Sequence, residues 1–248
     1  SGGTGLMIAS LTGSIKGSGT AAVGGAISVN RIGANRIALA KNSTVSGFSS
    51  ASLLSGAKQD IYAIAIAGGG AGNVAVNGSS TSNVLQGEER ATIDGGSFQV
   101  GSLTLSAAEG DRTIWSLAGA ISGAGTVAVG VANANNIILS KRVAETLNTS
   151  LTLTGALKLE SGGSAHIRSA AVGGGGAGNA AAGASIAINV IEGEESALIR
   201  GSTITGASSV TVEVVRGDAD IKTLAGNVQG AGNGAGAGAV AISTVNQA

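Results

Sequence analysis

The stretch that decides the fold is IYAIAIAGGGAG at residues 61–72, which returns as IWSLAGAISGAG at residues 114–125. Its final glycine belongs to a column of glycines spaced 53, 53, 53 and 54 residues apart: Gly19, Gly72, Gly125, Gly178 and Gly232. An isoleucine column has the same spacing: Ile8, Ile61, Ile114, Ile167 and Ile221. Recurrence at a long fixed period is typical of repeat architectures. We therefore interpret residues 1–248 as one segment with four repeats, at about 8–60, 61–113, 114–166 and 167–220, and a partial repeat at 221–248.

Within a repeat, the local pattern has a period of two. Leucine alternates with threonine in LTLT at residues 151–154, and valine alternates with polar residues in TVEV at residues 211–214. Alternation of this kind, interrupted by Gly and Ser, predicts short β-strands. The absence of Pro agrees with strands, because Pro removes a hydrogen-bond donor from any strand that has neighbours on both sides.

Short strands in a strict long period predict an all-β fold, a parallel β-helix or β-solenoid in which each coil hydrogen-bonds to the coils above and below. A β-propeller has a similar period, but its blades carry aromatic signatures, and this chain has one Trp, one Tyr and two Phe. We predict two coils of roughly 26 residues in each 53-residue repeat, because strands average about 5 to 6 residues. One large four-strand coil per repeat is the alternative. The glycine column should mark a tight corner or a close approach of backbones.

An asparagine column lies in phase with the glycines: Asn30, Asn83, Asn136 and Asn189. Identical residues at one repeat position stack on each other in a solenoid, and stacked amides can hydrogen-bond along its axis. An amide is costly to bury without such partners. We interpret this column as a structural ladder, facing inward or located at a turn, rather than as a row that binds a ligand.

A charged column changes sign from repeat to repeat: Arg36, Glu89, Arg142 and Glu195. Stacked like charges repel, whereas alternating charges form axial pairs, each worth about 0 to 1 kcal/mol when exposed. We expect exposed pairs that support the register of the coils, rather than a stripe that binds a ligand. The acidic pair at 88–89 is replaced by a basic pair at 141–142, which argues against a repeated acid–base or cation site.

Composition excludes several classes of protein. The chain has no Cys, so disulfide-stapled folds and Cys-ligated zinc sites are excluded. Its 14 basic and 14 acidic residues balance and form no basic stripe, so we expect no nucleic-acid partner. No run approaches the roughly 18 consecutive apolar residues of a membrane-spanning helix. We therefore expect no transmembrane segment.

The chemical motifs do not combine into a catalytic or cofactor site. GGGGAG at residues 173–178 matches the dinucleotide fingerprint, but the next segment has the pattern of a strand, whereas this fingerprint requires a helix. His166 is the only histidine, and its repeat equivalents Thr113 and Asp60 indicate a tolerant surface position. We predict no catalytic residue, no metal ligand and no cofactor, and a protein that is not an enzyme.

Two aromatic residues form the best candidate contact patch. Tyr62 and Trp115 lie one repeat apart, and Arg168 and Lys222 occupy the same position in the later repeats. The simpler interpretation is two aromatic rings lying flat on a β-surface. A β-helix that cleaves carbohydrate would also need a groove with at least two acids beside one of these rings.

Several motifs carry a family resemblance: GGGAG at 174–178, AINVI at 187–191, ALIRGS at 197–202 and SLTLSA at 102–107. In these motifs and their order, the chain resembles the repeat region of large bacterial exoproteins of the leukotoxin and filamentous-haemagglutinin type. The resemblance covers essentially the whole chain. It implies a right-handed β-helix, secretion by a type V or two-partner route, an extracellular or cell-surface location, and a role as the shaft of an adhesin or toxin.

From these observations we expect a non-catalytic rod segment of a long secreted or surface-displayed bacterial protein. Its partners would be flanking β-helix coils of the same longer chain or neighbouring subunits, and a host surface or glycan. A self-associating extracellular fibre subunit is the alternative, because an unprotected β-edge at an open coil end templates pairing. A β-helical carbohydrate-active enzyme is a less favoured alternative.

Overall fold

The computed structural model describes residues 5–248, apart from the side chain of Glu109. This part of the chain is almost entirely β-structure, and it contains no helix that is long and apolar enough to cross a membrane. Its strands are β1 (Leu6–Ser18), β2 (Ala21–Gly33), β3 (Arg36–Gly56), β4 (Gln59–Ala71), β5 (Val74–Glu109), β6 (Arg112–Ala124), β7 (Val127–Leu147), β8 (Ser150–Leu153), β9 (Ala156–Ala177), β10 (Ala180–Arg200), β11 (Thr203–Thr205), β12 (Ser209–Ala231) and β13 (Gly234–Gln247).

The strand pairings are parallel and join equivalent positions of successive repeats. Leu6 of β1 pairs with Gln59 of β4, and the side chains of Asn30 and Asn83 are hydrogen-bonded across 53 residues of sequence. The last step is one residue longer because the register shifts at an irregularity within residues 216–219. The chain is a parallel β-solenoid, and the predicted all-β fold class is confirmed.

Each repeat forms one coil, so the prediction of two coils per repeat is wrong and the single large coil is right. Among the described residues, no ladder joins positions half a repeat apart. The error lies in the assumed strand length. Strands β1, β2, β4 and β6 each have 13 residues, about twice the average. Glycines do not end these strands, because the ladders to neighbouring coils keep the backbone extended.

Two walls of the solenoid pack face to face over a thin interior. Wall A comprises β1, β4, β6 and residues 165–177 and 219–231, and wall B comprises β2, residues 74–86, 127–139 and 180–192, and β13. Fully buried alanines from both walls fill the space between them: Ala65, Ala67, Ala118, Ala120, Ala132, Ala134, Ala171 and Ala187. Every second residue of a strand faces inward, and small inward side chains let the walls approach closely.

The remainder of each coil, which we call lobe C, encloses a wider core. Lobe C comprises residues 36–56, 89–107, 142–161 and 195–214. Large side chains fill it: Ile93, Phe98, Leu103, Leu105, Leu151, Leu153, Leu157 and Leu159. Burying one such side chain contributes about 1.5–3 kcal/mol. Lobe C is therefore the main hydrophobic core. Each alanine between the walls contributes less free energy of burial than one of these larger side chains.

The glycine column lies at the corner between wall A and wall B. A Cβ at Gly125 would lie 2.1 Å from the carbonyl oxygen of Gly72, and a Cβ at Gly178 would lie 2.2 Å from that of Gly125. The N–H of Gly125 donates to the carbonyl oxygen of Ala71 at 3.2 Å, so the ladder continues through the corner. The predicted close approach of backbones at this column is confirmed.

Candidate functional site

The asparagine column forms a hydrogen-bonded ladder inside the solenoid. The Nδ2 atoms of Asn30, Asn83 and Asn136 each donate to the Oδ1 atom of the next asparagine, at 2.8, 2.8 and 2.7 Å. Asn189, the last of the four, donates to the Oγ1 of Thr223 at 2.8 Å. All four asparagines are buried. The ladder supplies the hydrogen bonds without which a buried amide is costly, and the structure places it on the inward face.

The charged column is buried, so the expectation that it is exposed is wrong. Glu89, Arg142 and Glu195 are 0%, 1% and 8% exposed. The Nε of Arg142 donates to the Oε2 of Glu89 at 2.8 Å, and its Nη1 donates to the Oε1 of Glu195 at 3.2 Å. Arg36, which is partly buried, pairs with Glu89 in the backbone register. The alternation of sign is present as ion pairs in the interior.

The exposed charges occupy the adjacent column. Lys141 and Glu194 form an ion pair at 3.2 Å, with side chains that are 44% and 65% exposed. Adjacent residues of a strand point to opposite faces, so one of two neighbouring charged columns has to face inward. The sign alternates in both columns, and the sequence pattern therefore could not show which of them is buried.

A second buried cation, Arg112, completes the ionic network. Its Nη1 donates to the carbonyl oxygen of Leu139 at 2.7 Å, and its Nη2 donates to that of Gly87 at 3.2 Å. The same Nη2 lies 3.6 Å from the Oε1 of Glu89. Burial lowers the pKa of Arg112 to about 10, and the charge of Glu89 opposes this shift. Sequence reasoning missed Arg112 because its repeat equivalents are uncharged.

The charged groups of this network face one another and backbone carbonyl groups. Its carboxylates face guanidinium groups, and the Nη2 of Arg142 also donates to the carbonyl oxygen of Gly110 at 3.1 Å. Gly163, at φ +152°, leaves room for the cation, because a Cβ there would lie 2.7 Å from the Cζ of Arg142. Within the part of the chain that the structure describes, no group of three His, Asp or Glu residues is placed to hold a metal ion.

The tract that matches the dinucleotide fingerprint, residues 173–178, packs the two walls together. A Cβ at Gly173 would lie 2.9 Å from the carbonyl oxygen of Gly130 on wall B. The N–H of Gly173 donates to the Oγ of Ser185 on the same wall at 2.8 Å. The tract ends β9 and is followed by strand β10, so it does not present a helix N-terminus to a pyrophosphate.

The predicted contact patch lies on the outer surface of wall A. Tyr62 pairs in register with Trp115, Trp115 with Arg168, and Arg168 with Lys222. Tyr62 and Trp115 are 40% and 37% exposed. Because register partners on adjacent strands lie about 4.8 Å apart, the four residues form a continuous strip along the solenoid axis. We call this strip the aromatic–basic column.

Two columns of different chemistry flank this strip. The polar column consists of Asp60, Thr113, His166 and Asp220, and the aliphatic column consists of Ile64, Leu117, Ala170 and Leu224. An open depression of about 280 Å³ lies along the strip, and its lining includes Trp115, Arg168 and Lys222 together with Leu117 and Leu224. Among the described lining residues there is no carboxylate.

The polar column contains one hydrogen-bonded pair. The Nδ1 of His166 shares a hydrogen bond with the Oδ1 of Asp220, and the Nζ of Lys222 lies 3.6 Å from the Oδ2 of Asp220. The bond to His166 is the main cause that lowers the pKa of Asp220, and the charges of Lys222 and Arg168 act in the same direction. Sequence reasoning placed His166 at the surface but missed this partner, which lies one repeat away.

The fold and these columns define a parallel β-solenoid with polar and ionic ladders in its interior and an aromatic and basic strip on its surface. A scan against protein-family models, a search of curated proteins and a search of solved structures each found no match to this chain. The resemblance to exoproteins of the leukotoxin and filamentous-haemagglutinin type therefore rests on the sequence motifs.

Proposed function

We propose that the chain is a non-catalytic rod segment of a long bacterial exoprotein of the adhesin or toxin type, secreted or displayed at the cell surface. The observation that carries this proposal is the in-register parallel stacking of successive coils, in which each residue of a repeat lies on its equivalent in the next. A stack of this kind lengthens by about 4.8 Å with every added coil. It is suited to act as a spacer.

The interior supports the same role. Backbone ladders, the asparagine ladder and the ion pairs of Arg142 all join one coil to the next, so the bonds that hold the segment together run along its axis. These groups are hydrogen-bonded to side chains of the neighbouring coils, and Arg142 also to a backbone carbonyl group. A segment whose polar interior is used for stacking is well suited to resist separation of its coils.

The surface chemistry also favours a non-catalytic segment. The depression beside Trp115 is lined by cations and aliphatic side chains, whereas cleavage of a carbohydrate needs two carboxyl groups at the scissile bond. Export from the cell is supported by the family resemblance and by the absence of Cys, since an unfolded chain without thiols forms no disulfides on its way through an oxidising compartment.

Solution scattering at increasing protein concentration tests the proposal. We expect a monodisperse particle whose dimension along the axis corresponds to five stacked coils, about 24 Å, at every concentration. Growth of that dimension with concentration would instead support the fibre subunit that stacks through open coil ends. A second assay incubates the chain with polysaccharides and measures new reducing ends. Their release would support the carbohydrate-active enzyme.

A further inference from the structure

The aromatic–basic column contributes little to the core of the solenoid. The inward neighbours Ile61 and Ile114 are fully buried, whereas Tyr62 and Trp115 stand on the outer face of the same strands. The chain has only two other aromatic residues, and one of them, Phe98, lies in the core of lobe C. The two rings therefore lie outside the hydrophobic cores of the solenoid.

The two cations of the column have unused hydrogen-bond donors. Arg168 is exposed and forms no ion pair with any side chain that the structure describes. Lys222 has a 70% exposed side chain and contacts one carboxylate, that of Asp220 at 3.6 Å. Asp220 is also bonded to His166, so it compensates Lys222 only in part. The strip therefore carries excess positive charge.

We propose that the aromatic–basic column binds an acidic oligosaccharide, a chain of pyranose rings that carry carboxylate or sulfate groups. One pyranose lies on the indole of Trp115, because the C–H face of a sugar ring is apolar and matches an aromatic face. Its acid group is held by Arg168 and Lys222. The guanidinium fork of Arg is well matched to a planar carboxylate and also binds sulfate oxygens. This ligand goes beyond the proposed role as a rod segment.

The ligand runs along the solenoid axis. Positions of the column recur about every 4.8 Å, a distance comparable with the length of one pyranose in an extended chain, so successive sugars meet Tyr62, Trp115 and Arg168 in turn. The polar column offers hydroxyl partners in Thr113 and His166. Leu117, in the aliphatic column, borders the depression on its other side.

An acidic sugar fits this strip better than an anionic membrane surface does. Surfaces that bind anionic lipids use clusters of about four to eight basic residues, and the aromatic–basic column has two. The depression lies between the aromatic–basic column and the aliphatic column and spans three coils, from Trp115 to Lys222, which suits a linear ligand. Tighter binding to anionic vesicles than to acidic sugars would therefore overturn the proposal.

The only Trp of the chain lies in the site, so its fluorescence reports binding directly. We expect a saturable change in emission with a galacturonate hexamer, with a chondroitin sulfate hexasaccharide, or with both, and no change with cellohexaose. The two acidic probes distinguish carboxylate from sulfate as the recognised group. Calorimetry then measures the dissociation constant for each variant.

Charge-removing variants locate the site. Arg168→Gln and Lys222→Gln should each weaken binding at least about tenfold, because each removes a hydrogen bond to a charged group. Arg31→Gln is the matched control, since Arg31 is exposed on the outer surface of wall B, and it should leave binding unchanged. Trp115→Phe should bind more tightly than Trp115→Ala. Circular dichroism shows that each variant is folded.

Four outcomes would overturn the proposal: no response to either acidic probe, equal affinity for cellohexaose, equal losses in Arg168→Gln and Arg31→Gln, or tighter binding to phosphatidylglycerol vesicles than to both acidic sugars. Each of these leaves the scattering result untouched, so the ligand and the rod segment are tested separately.

Discussion

The Nε of Arg142 donates to the Oε2 of Glu89 at 2.8 Å, and both side chains are buried although 53 residues separate them in the chain. In a repeat protein every coil resembles the next, so a slip by one whole coil preserves most apolar contacts. The ionic column does not tolerate that slip, because it would stack Glu on Glu or Arg on Arg in the interior. Its alternating sign therefore specifies which coil lies on which, in addition to the backbone register.

Removal of the central cation should destabilise the chain strongly. Arg142→Met leaves Glu89 and Glu195 buried without their shared partner, and loss of one member of a buried ion pair costs about 3–5 kcal/mol. Urea unfolding followed by circular dichroism measures this loss. Lys141→Met is the matched control at the adjacent exposed position, where we expect a loss of at most about 1 kcal/mol. Equal losses in the two variants would contradict a buried column.

The alternation of sign predicts opposite effects for one substitution in two backgrounds. In the full chain, Glu195→Arg places a second buried cation beside Arg142 and should lower the urea midpoint. Deletion of residues 114–166 removes one coil together with Arg142, so Glu89 then stacks on Glu195 and the midpoint should also fall. In this shortened chain, Glu195→Arg restores opposite charges and should raise the midpoint. A change of the same sign in both backgrounds would refute the ordering role of the column.

The corner glycines should be sensitive to a single methyl group. Gly125→Ala places a Cβ 2.1 Å from the carbonyl oxygen of Gly72, so neighbouring coils have to separate, and we expect a loss of about 1–3 kcal/mol. Gly123→Ala, two residues earlier, meets no atom within 4 Å. This substitution should be neutral, or should stabilise the protein by about 0.4–1 kcal/mol because alanine gives the unfolded chain less conformational freedom than glycine does. Thermal unfolding compares the two, and a tolerated Gly125→Ala would argue against close stacking.

The pair of Asp220 and His166 predicts a dependence of stability on acid. The pKa of Asp220 is lowered in the folded chain, chiefly by the bond to His166. The Asp220 carboxylate therefore contributes its full stabilisation at pH values above its unfolded pKa, about 3.9. That stabilisation is lost as the pH falls through the lower pKa of the folded chain. The melting temperature should fall more between about pH 5 and pH 2 in the unmodified chain than in Asp220→Asn. The control Asp218→Asn, at an exposed position two residues away, should retain the full acid dependence.

The repeat spacing by itself determined that the chain is a stack of similar coils. Columns in phase over 53 residues place equivalent residues at the same position around the solenoid, so the alignment of Asn30 with Asn83 and of Tyr62 with Trp115 along its axis followed from the sequence. Their direct contact requires one coil per repeat, which the structure shows. The close approach at Gly72 and Gly125 could be predicted for the same reason. These features depend on which residues of successive repeats are equivalent, and the sequence alone shows that equivalence.

Only the tertiary structure decided the size of the coil and which charges are inside it. Alternation along a strand shows that Glu88 and Glu89 face opposite sides, but it does not show which side is the core. The burial of Arg112 depends on the carbonyl groups of Gly87 and Leu139, which reach its guanidinium only when the coil has closed. Closure excludes water from these charges, and the free energy of an ion pair depends on that exclusion more than on the identity of its residues.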